Sequence, residues 1–130
     1  LALLVPALAA AAPASVPLAS KAYRFEDVPV RMAGPASQRW ILEGETHSGF
    51  RIELHHTEMP AGEAGHAAHR HPHDELLLIQ EGTVEVTIAG TTSKLGPGSV
   101  AYIASNDEHG LRNVGATKAR YFALSLGRDK

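Results

Sequence analysis

From Lys21 onward, apolar and polar residues alternate with a period of two, and turn residues break the pattern every six to twelve positions. Successive side chains on a strand leave opposite faces, so this period predicts strands, and no stretch sustains a helical stripe. A strand from Trp40 to Glu43 stops at Gly44. The next run sets Phe50, Ile52 and Leu54 against Arg51, Glu53 and His55, which predicts one core face and one wet face. Beyond Gly82, Val84, Val86 and Ile88 alternate with Thr83, Glu85 and Thr87, and Ala89-Gly90-Thr91 closes a hairpin. Gly96-Pro97-Gly98 is a tight turn feeding Val100 to Ile103. His109, Leu111 and Asn113 then share a face, and a last strand runs from Arg120 to Leu126. The fold class is all-β, a barrel or sandwich, and without an internal repeat it is a single one.

Leu76 to Ile79 breaks the alternation, because every position is apolar. In an antiparallel sheet that predicts cover on both faces. Either an N-terminal strand around Tyr23 to Val30 or a second subunit supplies the outer cover, and an open apolar face favours a homodimer.

Just ahead of that strand stands Gly65-His66-Ala67-Ala68-His69-Arg70-His71-Pro72-His73-Asp74-Glu75. On a histidine strand His69 and His71 send both imidazoles to the same face, and Glu75 brings a carboxylate to the start of the apolar run. Imidazole nitrogens with one carboxylate oxygen form a ligand set that divalent Zn, Fe, Mn, Ni or Cu accept. His109 is the candidate for a further position, being the only histidine beyond His73. His66 and His73 are expected outside the ligand set, orienting it or facing solvent. His47, His55 and His56 are expected to be exposed, with ordinary titration. Trp40 is assigned to the core, Asp107 and Glu108 to a solvated turn, and Asn113 to satisfying backbone groups at a strand end.

Composition narrows the chemistry. With 130 residues the chain is one domain, and 44% hydrophobic content is that of an ordinary globular protein. A net charge of −2 with acids and bases intermixed leaves no nucleic-acid footprint. Cysteine is absent, so any metal must be held by nitrogen and oxygen. Neither a Ser/His/Asp arrangement nor a Gly-rich phosphate loop is visible. Residues 1–20 are rich in Ala and Leu and uncharged, as in the apolar and cleavage regions of a secretory signal peptide, with Ala9-Ala10-Ala11 or Ala12-Pro13-Ala14 as processing sites. Pro6, Pro13 and Pro17 interrupt any helix there, so no stable membrane span is expected once the chain is processed. The expected organisation is a leader over 1–20, an N-terminal arm over 21–39 and a barrel over 40–130, exported to the periplasm or secreted.

His69-x-His71, then Glu75 and Gly82, followed by Gly98, His109 and Asn113, have the order and spacing of the two cupin motifs. From Trp40 to Leu126 the chain resembles a small single-domain cupin. The first motif's leading glycine falls on Glu63, between Gly62 and Gly65. Taking Gly65 for that glycine would shift the histidine pair to His71 and His73; the Glu75 to Gly82 anchor favours His69 and His71. In the second motif Ala104 and Asn106 replace the usual Pro and Gly, and Asn tolerates the left-handed backbone such a turn needs. The resemblance implies a jelly-roll-like barrel (a double-stranded β-helix), a homodimer, and a divalent transition metal on His69, His71, Glu75 and His109.

Cupins carry oxygenase, isomerase, decarboxylase and binding functions, so the fold does not choose among them. The leading expectation is an exported, dioxygenase-like, metal-dependent enzyme of small organic acids, phenolics or sugars. Its rivals are a non-catalytic metal- or small-ligand-binding or sensing module and a metal-dependent sugar isomerase. The expected cavity lining is Phe50, Ile52, Leu77, Ile79, Val86 and Leu111, an apolar set that disfavours a phosphorylated sugar.

Overall fold

The computed structural model describes residues 15–127, so most of the expected leader lies outside the described residues. Within them a 3-10 turn at Phe25–Asp27 precedes nine strands: β1 (Val30–Ala33), β2 (Ala36–Glu45), β3 (Arg51–Met59), β4 (Asp74–Glu81), β5 (Val84–Ile88), β6 (Thr91–Leu95), β7 (Val100–Ile103), β8 (His109–Asn113) and β9 (Ala119–Gly127). A six-stranded sheet of order β1-β2-β3-β9-β4-β7 packs on a three-stranded sheet of order β6-β5-β8. All pairings are antiparallel. This is the double-stranded β-helix expected from the motifs. The histidine segment is not a strand: it is an extended connector touching the sheets through single bridges at Ala64 and His69.

Leu77, Ile79, Val84, Val86, Ala101, Ile103 and Tyr121 form the buried core between the sheets. Odd-numbered residues of β3, β4 and β9 point inward, and register therefore sets cross-sheet rows: Glu75, Ser125 and Glu53 in one, Leu77, Ala123 and His55 in the next. That parity reverses the face expected for β3. Glu53 and His55 face the interior, whereas Ile52 and Leu54 lie on the outer face beside Leu126 and Leu124. The reason is that the interior here encloses a cavity as well as a core, so hydrophobicity does not mark the inner side. A register shift between Trp40 and Leu42 makes the matching switch in β2, leaving Trp40 inside opposite His55 and Leu42 outside opposite Leu54.

Residues ahead of β1 cover part of the outer face. The Leu18 amide donates to the Glu45 carbonyl at 2.9 Å, and Phe25 meets the His56 ring edge-on at 4.8 Å. His56 packs in turn on Phe122 and contacts Gln80 Oε1 at 2.8 Å through Nε2. With only 1% of its surface exposed, His56 is not the solvent-facing histidine expected, and burial holds its pKa below the ordinary value. The cover does not reach β4 and β7. Leu78, Val100 and Tyr102 are 41%, 54% and 60% exposed, so among the described residues nothing supplies the full outer cover expected for the Leu76 to Ile79 run.

Candidate metal centre

Backbone contacts hold the histidine connector against β8 and the turn before it. His69 and His109 exchange amide-to-carbonyl hydrogen bonds of 3.0 and 2.8 Å. The Asn106 amide donates to the His71 carbonyl at 2.8 Å, and the Ser105 amide to Asp74 Oδ1 at 2.8 Å. Asn106 has φ 66°, the left-handed backbone anticipated where the family uses glycine. At the far end of β8, Asn113 is fully buried: its Nδ2 donates to the Met59 and Thr117 carbonyls at 2.9 and 2.8 Å, and its Oδ1 accepts from the Gly115 amide at 3.0 Å. Gly82 has φ 84°, and a Cβ there would sit 2.8 Å from the Lys118 carbonyl oxygen, so only glycine fits.

These constraints bring His69, His71 and His109 together, with candidate ligand atoms all within 4.8 Å of one another. Ring centroids of His69 and His71 lie 4.8 and 4.7 Å from that of His109. Glu75 Oε2 stands 2.9 Å from His71 Nε2 and 3.1 Å from His109 Nε2. The opposite ring nitrogens are already engaged: the His71 Nδ1–H donates to the His73 carbonyl at 3.0 Å and the His109 Nδ1–H to the Asp107 carbonyl at 2.8 Å. In the neutral rings both Nε2 atoms therefore present lone pairs toward a carboxylate that presents its own. Acceptors facing one another need a proton or a cation between them, and this cluster has the chemistry to hold a metal ion. His73 stays out of the cluster, stacked on His71 at 3.8 Å, and His66 is stacked on His69 at 4.0 Å. Burial, then the neighbouring histidines, hold the His69 imidazole below its ordinary pKa.

The cluster opens into a cavity of about 440 Å³ between the sheets. Leu77 and Leu111 line it as expected, but Phe50, Ile52, Ile79 and Val86 do not. Ile79 and Val86 belong to the core, and Ile52 faces outward. The wall facing β4 across β9 consists of Gln38, Trp40, Glu53 and His55, none of which the sequence pattern marked as site residues. Trp40 and His55 pack at a tilt of 31°, ring centroids 4.7 Å apart, and Trp40 Nε1 donates to Gln38 Oε1 at 3.3 Å. His55 is therefore a cavity residue, not an exposed one, and burial lowers its pKa against the opposing influence of Glu75 and Glu53. Burial also pushes the Tyr121 phenol up to about 12, so it stays protonated in the cavity. Inward parity on β3 was the signal that would have found this wall, but its even-numbered residues are the more apolar.

A family profile for the Cupin domain matches residues 55–125, and the chain belongs to the cupin family. None of the curated proteins matches it by sequence. Among solved structures, it is similar to KdgF from Halomonas sp. (16% identity, TM-score 0.71, covering 82% of this chain and 94% of that one). A predicted oxalate decarboxylase from Thermotoga maritima is similar at 18% identity and TM-score 0.71, covering 82% of this chain and 99% of its own. The polyketide cyclase RemF from Streptomyces resistomycificus follows at 18% identity and TM-score 0.69, with 83% and 80% covered. At these identities the likeness concerns the fold.

Proposed function

We propose that this chain is an exported metal-dependent cupin enzyme acting on a small organic molecule, with a divalent transition metal held by His69, His71, His109 and Glu75. The observation that carries the reading is the set of acceptors at 2.9 and 3.1 Å whose other ring nitrogens are committed to the carbonyls of His73 and Asp107. Those carbonyls fix the tautomer and aim each Nε2 inward. When bound, the metal supplies Lewis-acid or oxygen-activating chemistry. The chain's own residues then bind and orient the substrate in the cavity beside the cluster. The names of similar proteins, a predicted decarboxylase and a cyclase, agree with an enzymatic role. Elemental analysis of untagged protein is expected to find about one transition metal per chain, and oxygen uptake on addition of substrate marks the dioxygenase-like reading. Turnover without oxygen marks an isomerase, ligand binding without turnover a sensing module, and protein that takes up no metal from solution sinks the metal reading.

The uncovered face of β4 and β7 supports a homodimer. Register puts Leu78 opposite Val100 and Leu76 opposite Tyr102, which makes the exposed apolar residues contiguous. Light scattering at micromolar concentration is expected to report twice the chain mass, and Leu78→Glu to shift it toward the single chain by placing an unpaired charge in the contact. A wild-type chain that scatters as a monomer would end the dimer reading.

A further inference from the structure

The wall opposite the histidine cluster is built for a ligand, and its charge selects one. β9 contributes only Ala123 and Ser125 to the two inner rows, and these small residues hold apart Leu77 and Glu75 on one side from His55 and Glu53 on the other. Neighbouring strands are about 4.8 Å apart, so the Glu53 and Glu75 backbones stand roughly 10 Å from each other, enough for one six-membered ring between their side chains. The floor is apolar, from Leu77, Ala123 and Leu111, and the end wall carries the Trp40–His55 pair.

Glu53 is the only carboxylate on that wall, and among the described residues no Arg or Lys lines the cavity. Arg51 lies outside the lining and shares its Nη2 between Glu53, at 3.2 Å, and Glu43. One cation against two carboxylates leaves the group with a net negative charge. A ligand carrying an anion at this end would meet Glu53 with only the Arg51 cation, already shared with Glu43, to offset the repulsion. A hydroxyl there would donate to the Glu53 oxygen.

We propose that the cavity takes a flat ring bearing adjacent hydroxyls toward the histidine cluster and an uncharged hydrogen-bond donor toward Glu53, so that Glu53 sets specificity against ligands anionic at that end. The placement of the hydroxyls rests on the metal reading above; the preference at Glu53 does not. An apolar floor suits a flat aromatic ring better than a sugar, whose rim of hydroxyls would leave donors unpaired against Leu77 and Leu111.

Trp40 is the chain's single tryptophan, so its emission reports occupancy of this wall. The probes are 3,4-dihydroxybenzyl alcohol and 3,4-dihydroxybenzoate, which differ at the end meant for Glu53. Both are titrated into zinc-loaded and metal-free protein at pH 7.5, with calorimetry as a second readout and zinc affinity measured separately. The alcohol is expected to bind about tenfold or more tightly than the acid, since like charges brought together across a poorly solvated gap oppose binding. Glu53→Gln should bring the two affinities within about threefold, mainly by strengthening the acid. If zinc does not bind, the metal reading fails while the metal-free titrations still report the preference at Glu53. Equal affinities in wild type, tighter binding of the acid, or no binding of either probe in either form would overturn the proposal.

Discussion

His71→Ala should abolish the difference in thermal midpoint between metal-loaded and chelated protein. Metal bound to the folded state alone stabilises it by about 2.7 kcal/mol when free metal is a hundredfold above its dissociation constant. For a domain of this size that is an upward shift of roughly 10 °C. His71 is half-buried, contacts Glu75 and is aimed by the His73 carbonyl, so its removal takes away a ligand that no neighbour replaces. His73 lies outside the cluster. The wild-type difference should be full at pH 7.5 and close toward pH 5, because protons compete with the metal for the imidazole nitrogens as pH falls. Differential scanning fluorimetry with and without chelator reads both effects. A wild-type midpoint that chelator leaves unmoved at pH 7.5, in protein with bound metal beforehand, would place the metal elsewhere.

The chelated protein should itself lose stability on acidification, through His56. Its folded pKa is depressed, so between that value and about 6.5 the unfolded chain binds more protons than the folded one. Stability then rises with pH across this window and falls as pH drops through it. His56→Gln should reduce that slope in the chelated protein, to which the depressed His55 and His69 also contribute, without changing metal content.

Asn113→Ala is expected to cost about 4 kcal/mol and lower the midpoint by roughly 15 °C. The side chain is fully buried and makes three hydrogen bonds to backbone groups of Met59, Thr117 and Gly115. Removing it strands the Met59 and Thr117 carbonyls and the Gly115 amide, the first of them in a buried bond. Chemical denaturation of the metal-free protein isolates this effect from metal binding. A loss under about 1 kcal/mol would mean the cluster is satisfied in some other way.

Local pattern made much of the fold readable. β5, β7 and β8 occupy the spans that alternation marked, because a five-residue strand between turns has few other ways to place Val84, Val86 and Ile88. The cluster was readable for a similar reason: His69, His71 and Glu75 lie close in the chain, and His109 is the only histidine beyond His73. Asn113 took the backbone-satisfying role its position suggested.

What alternation could not state was which face of β3 is the inside. Ile52 and Leu54 are apolar because they support residues ahead of β1 and the outer leucines of β9, whereas Glu53 and His55 face a cavity. Period-two patterning distinguishes two faces but does not say which one encloses space. The answer came from the pairing of β3 with β9 and from the shift at Trp40, contacts between residues tens of positions apart. The same holds for His56, buried by Phe25 and Phe122, and for the Trp40–His55 wall. By itself, then, the sequence determined most strands from β2 onward, their turns and the convergent ligand types, all consequences of local spacing. It did not determine the histidine connector or the N-terminal arm, where a strand expected around Tyr23 to Val30 is a 3-10 turn leading into β1. The tertiary structure alone decided the lining of the cavity, because that depends on which strands become neighbours.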